Sequence, residues 1–133
     1  MMRRSLLAAL LVVITACGSP AEPNVVTLVT YASFPVSDTP LNAAITRFSA
    51  ASGIEVNIVI AGDTGTMVTK AALTAGNPEG DVMWGIDSTM LGRAVDSEIF
   101  ESYRSPSADR IRPELADTVP DELVTPVDFG DVC

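Results

Sequence analysis

The sequence predicts an α/β fold, a parallel-sheet lobe, and three observations carry that expectation. Short runs of β-branched and apolar residues recur at Val25–Tyr31, Ile54–Ile60 and Val82–Trp84. Each run ends in a small polar turn, and after each turn apolar residues return at helical spacing. Each turn also holds a Thr or Asp where a helix N-cap belongs. Strand, turn and helix in that order make half of a βαβ unit, and crossovers of this length pair strands in parallel with right-handed connections. In open sheets of this kind ligands bind at the carboxyl ends of the strands, where the turns lie.

Before the first strand the chain reads as an export signal. Arg3 and Arg4 precede the apolar run Leu6 to Ile14, then Thr15-Ala16-Cys17. The run is too short to span a bilayer, which takes ~20 residues. Ile14-Thr15-Ala16-Cys17 looks like a bacterial lipobox, so residues 1–16 are expected to be removed and Cys17 to be acylated. Cleavage further along is the competing reading, although Pro20 spoils Ser19-Pro20-Ala21 as a site. Acylation would anchor the chain at a membrane surface without spanning it, at the outer face of the cell membrane or in the periplasm. Residues 17–24, with two prolines and no periodicity, suit a tether between lipid and domain. Losing Arg3 and Arg4 moves the net charge from −9 to −11. That surface repels nucleic acid and anionic headgroups, which excludes both as partners, and favours a cationic small ligand through its field.

The elements follow in order from residue 25, as one lobe. Val25 to Tyr31 is β-branched and aromatic throughout, as for a strand buried on both faces. Ala32-Ser33-Phe34-Pro35 is the first loop. Thr39 can cap a helix with Pro40 at its first position, and Leu41, Ala44, Ile45 and Phe48 recur until Gly53 closes it. Ile54 to Ile60 is the second strand, and Ala61-Gly62-Asp63-Thr64-Gly65 the second loop. Met67, Val68, Ala71, Ala72 and Ala75 mark a helix that stops at Gly76-Asn77-Pro78. Val82-Met83-Trp84 is the third strand, and Asp87 sits at the N-cap of a helix bearing Met90, Leu91, Ala94 and Val95. Beyond it, Ile99-Phe100 is a small apolar anchor and Arg112-Pro113-Glu114-Leu115 can begin only a short helix. Leu123 to Phe129 reads as a last strand, held to an edge or crossing position by Pro126 and continued by Gly130 to Cys133. The chain is therefore expected to be the front part of a longer protein, cut at a crossing strand. Cys133 would have no disulfide partner once Cys17 holds lipid.

Three loops thus share one edge: Tyr31 to Pro35, Gly62 to Thr66 and Gly85 to Thr89. In the second, Gly62 and Gly65 allow close backbone approach while Asp63, Thr64 and Thr66 crowd a helix start. That is either an anion site or simply a capped helix. It is not a P-loop, since no lysine follows Gly65 at the required spacing. Asp63-Thr64-Gly65 also matches the D-T-G of aspartic proteases, but here the triplet leads into a helical period rather than between strands. The chain has no histidine, no cysteine pair at metal spacing and no G-x-S-x-G, so no catalytic residue, metal or cofactor is expected. Tyr31, Phe34 and Trp84 fall at strand ends, where rings can stack on a planar or cationic heterocycle or, for Trp84, pack under a helix. Asp87 is either a cap or a ligand contact.

With those residues in hand, the chain resembles the substrate-binding lipoproteins of bacterial thiamine ABC transporters. The points of contact are Leu28-Val29-Thr30-Tyr31-Ala32-Ser33-Phe34, Gly53-Ile54-Glu55-Val56, Ala61-Gly62-Asp63-Thr64-Gly65, Asn77-Pro78-Glu79-Gly80-Asp81-Val82 with Gly85-Ile86-Asp87, and Thr125 to Cys133. They run in the family's order. The resemblance implies a two-lobed, type II periplasmic-binding-protein-like fold that closes on thiamine or its phosphates and delivers it, as a monomer, to a membrane permease powered by a separate ATPase. It implies ligand contacts from Tyr31, Ser33 and Phe34, from Gly62, Asp63 and Thr64, and from Asp87. Where the family carries an aspartate in the first loop, this chain has Ala32. One lobe alone leaves half the ligand exposed, predicting affinity at least ~100-fold weaker than a closed cleft gives. The competing expectations are a solute-binding lipoprotein for iron or a polyamine, an aspartic-protease-like enzyme using Asp63, and a remnant that does not fold.

Overall fold

The computed structural model describes residues 24–120 and 122–130. The signal, Cys17 and almost all of the tether, and the final Asp131 to Cys133, lie outside the described residues. The element order is β1 (Val25–Thr30), α1 (Pro40–Ser52), β2 (Glu55–Ile60), α2 (Thr64–Leu73), β3 (Val82–Trp84), α3 (Ser88–Asp96), a 3₁₀ turn (Ala108–Arg110) and α4 (Pro113–Ala116). The strands form one parallel sheet in the order β2-β1-β3, so the chain is mixed α/β with a small parallel sheet, as the strand-turn-helix repeats predict.

β1 is central, and its burial is graded. It pairs along its whole length with β2, Val25 opposite Glu55 through Thr30 opposite Ile60, but with β3 only from Leu28 to Thr30. Leu28, Val29 and Thr30 are buried and Val25 is exposed. The expectation of a strand covered on both faces from its first residue is corrected: helices cover sheet faces, and of the helices only α2 contacts β1, while α1 contacts β2 alone. The shortness of β3 is offset by a latch just before it. Asp81 donates its backbone N–H to the Thr27 carbonyl at 2.9 Å and accepts the Thr27 N–H on Oδ2 at 2.8 Å.

The helix termini follow their sequence signals. Thr39 accepts the Asn42 N–H on its hydroxyl while Asn42 Oδ1 accepts the Thr39 N–H, a reciprocal pair that satisfies two orphan donors, with Pro40 at the first helical position. Gly53 closes α1 in the left-handed region at φ 72°. The apolar stripe of α1 nevertheless buries no residue, and Phe48 remains about half exposed. Its sheet contacts are made with the edge strand β2 alone. α2 instead packs on β1 and α3, and buries Met67 and Val68. The core therefore sits between β1 and α2, where Val29, Ala61 and Met67 meet Met83 and Ile86.

The last strand expected at Leu123 to Phe129 does not form, and Val124 to Gly130 adopt no regular structure. Pro126 has no N–H to offer a ladder, and Val127 and Phe129 are left exposed. The segment is tied down elsewhere: Tyr103 donates its N–H to the Glu122 carbonyl at 2.6 Å, and the Arg112 guanidinium lies 4.5 Å from the Phe129 ring centre.

Candidate functional site

The three predicted loops meet at the carboxyl edge of the sheet, and hydrogen bonds join them. Ala32 donates its N–H to the Gly62 carbonyl at 2.7 Å, which ties the first loop to the second. The Thr64 hydroxyl donates to the Gly85 carbonyl at 3.1 Å, which ties the second to the third. Below them, the fully buried Thr30 donates its hydroxyl to the Trp84 carbonyl at 3.0 Å, joining β1 to β3 at their ends.

An aromatic cluster stands on this scaffold. Phe34 meets Tyr31 edge-on at 6.5 Å between ring centres and Trp84 edge-on at 6.1 Å. Phe34 is buried, 4% exposed, whereas Tyr31 and Trp84 are half-buried. The Tyr31 ring lies directly on Gly85, where a Cβ would fall 2.1 Å from Tyr31 Cδ1. At φ 102°, Gly85 also holds a backbone conformation that other residues rarely adopt. Trp84 thus packs against Phe34, a loop residue, and reaches the edge of the sheet at the cleft.

Beside this cluster runs an open cleft of about 1660 Å³ between the α2–β3–α3 side of the lobe and the irregular segment after α3. Of the residues expected to contact a ligand, Tyr31, Thr64 and Asp87 line it, with Trp84 and Gly85 between them. Ser33, Gly62 and Asp63 lie at the same edge but outside that lining, and Phe34 backs the other rings. Sequence reasoning placed Gly85 and Ile86 in the third loop without singling either out as a contact, and it missed Phe100 and Tyr103 on the far wall. For Gly85 the signal was present, a glycine between a strand and an N-cap; the far wall has no periodicity from which to read it.

The two aspartates are caps. Asp63 Oδ1 accepts the Thr66 N–H at 2.7 Å. Asp87 Oδ1 accepts the Thr89 hydroxyl at 2.6 Å and the N–H groups of Thr89 and Met90 at 2.9 and 3.1 Å. Both carboxyls are held below the ordinary value of 3.8, Asp63 mainly by the Thr66 N–H and Asp87 mainly by the Thr89 hydroxyl. The folded values are lower than the unfolded ones, so each cap stabilises the fold fully above the unfolded value and is lost as pH falls through the folded one. Asp63-Thr64-Gly65 opens α2 instead of lying between strands, as its helical period predicts.

Among the described residues no group of three or more His, Cys, Asp or Glu is arranged to hold a metal, and no helix is long and apolar enough to cross a membrane. Comparison with models of known protein families gives no match. Comparison with curated proteins gives none either.

Proposed function

We propose that the chain is the ligand-binding lobe of an exported, lipid-anchored solute-binding protein that takes thiamine or its phosphates for import through an ABC permease. The observation that supports it best is the convergence of three loops, bonded to one another, on two half-buried rings at the mouth of a cleft. Tyr31 and Trp84 present aromatic surface, while Thr64 and Asp87 supply a small number of polar groups, a lining suited to a planar ring. The order of the motif segments along the sequence supports the same reading. In it, Tyr31 and Trp84 hold the ring, Asp87 faces its charge, Gly85 sets the position of Tyr31, and Cys17 carries the lipid. The type II periplasmic-binding-protein fold, the monomeric state and the delivery to a permease belong to this proposal.

Isothermal titration of the chain with thiamine, ferric iron and spermidine tests it. Thiamine is expected to bind, weakly, at one site, and Tyr31→Ala to weaken that binding by about tenfold. Binding of iron or spermidine with no thiamine response would replace this ligand assignment.

A further inference from the structure

Resting on that ligand-binding reading, we propose that this lobe selects for positive charge: it takes an organic cation in preference to the same cation bearing phosphate. Six acidic residues line the cleft, Glu79, Asp81, Asp87, Glu98, Glu101 and Asp128, and the described lining contains no lysine or arginine. The other anion sites an α/β lobe offers are its helix N-termini. Those of α2 and α3 already hold the carboxylates of Asp63 and Asp87, and that of α1, capped by the Thr39 hydroxyl, lies outside the cleft lining. A phosphate would have to displace a tethered anion and then stand next to it. A heteroaromatic cation meets the opposite arrangement. The half-buried Tyr31 and Trp84 rings line the same cleft as Asp87, whose Oδ2 lies outside the cap bonds. The net charge of −9 extends a field of the same sign beyond the cleft.

Trp84 is the single tryptophan of the chain, so its emission reports on the cleft mouth. The intact chain is titrated with thiamine, thiamine monophosphate and thiamine diphosphate at low ionic strength. Thiamine is expected to quench Trp84, with the monophosphate about threefold and the diphosphate about tenfold weaker, and the gap shrinking as salt is added. The double variant Asp87→Asn, Glu101→Gln is expected to narrow the gap, and because asparagine caps as well as aspartate the variant should keep its circular dichroism spectrum. Diphosphate binding as tight as thiamine, or a gap unchanged in the folded variant, overturns the charge selection and leaves the ligand reading standing. A folded chain in which none of the three quenches Trp84 overturns both.

Discussion

At the scale of single residues, Gly85 is the most constrained position near the cleft. It combines a φ of 102° with a Tyr31 ring carbon 2.1 Å from where a Cβ would stand, and its carbonyl receives the Thr64 hydroxyl. Gly85→Ala therefore has to move the ring, strain the backbone or break the bond between the second and third loops. A loss of about 2 kcal/mol or more in urea unfolding is expected, together with a shifted Trp84 emission maximum, since Phe34 connects the Tyr31 and Trp84 rings. Unchanged stability and emission would show that Tyr31 is not seated on Gly85. The residue roles that were legible beforehand are those fixed by local chemistry. Asp87 and Thr39 cap because each precedes an apolar helical period, and that can be read from adjacent residues alone. The burial of Phe34, expected as a ligand contact, was not legible because it depends on a neighbour far along the chain, Trp84.

At the scale of elements, the short strand β3 depends on Gly80 and Asp81 for its seat beside β1. A Cβ on Gly80 would fall 2.7 Å from Val29 Cγ2 and 2.9 Å from the Thr27 carbonyl oxygen, so this approach of backbone to backbone admits no side chain. Gly92, in the middle of α3, has nothing within 4 Å of the same construction. The two glycines should therefore respond oppositely to alanine. Gly80→Ala is expected to destabilise by about 1–3 kcal/mol, by overpacking against β1. Gly92→Ala should stabilise by about 0.5–1 kcal/mol, by removing a flexible residue from a helix interior. Chemical denaturation of both variants checks this, and equal effects of one sign would remove the distinction. The sequence shows where β3 begins and ends, because turn residues bound it, but the latch through Asp81 is invisible to periodicity. The missing last strand has a related cause: Leu123 to Phe129 has strand composition, yet composition supplies no partner for its ladder, and Pro126 lacks a donor.

At the scale of the whole molecule, the described residues divide into a packed lobe and a loosely applied wall. Among the described residues, every buried one lies from Leu28 to Ala94. Neither the 3₁₀ turn nor α4 packs against the sheet or the first three helices. The wall from Ile99 to Gly130 is connected mainly within itself, through Tyr103 and Glu122, Arg104 and Asp109, and Arg112 and Phe129. Its two ion pairs are exposed and contribute little to stability. Opening free energies should differ accordingly, because amide protection follows buried contacts and not hydrogen bonding alone. In hydrogen exchange on the intact chain, amides of β1, α2 and the Ala61 turn are expected to exchange slowest, while those of α4 and of residues 122–130 exchange at nearly the unprotected rate. Protection of α4 equal to that of β1 would mean that the wall is part of the core. A second arm follows from the cleft lying between the two parts: a ligand that touches both should slow exchange at Phe100 and Tyr103 as well as at Trp84 and Gly85. A ligand seated on the Tyr31–Trp84 mouth alone should slow exchange only in the loops. That contrast separates recognition by the whole cleft from recognition by the sheet edge, the part of the candidate site to which the strand-turn-helix pattern of the sequence points.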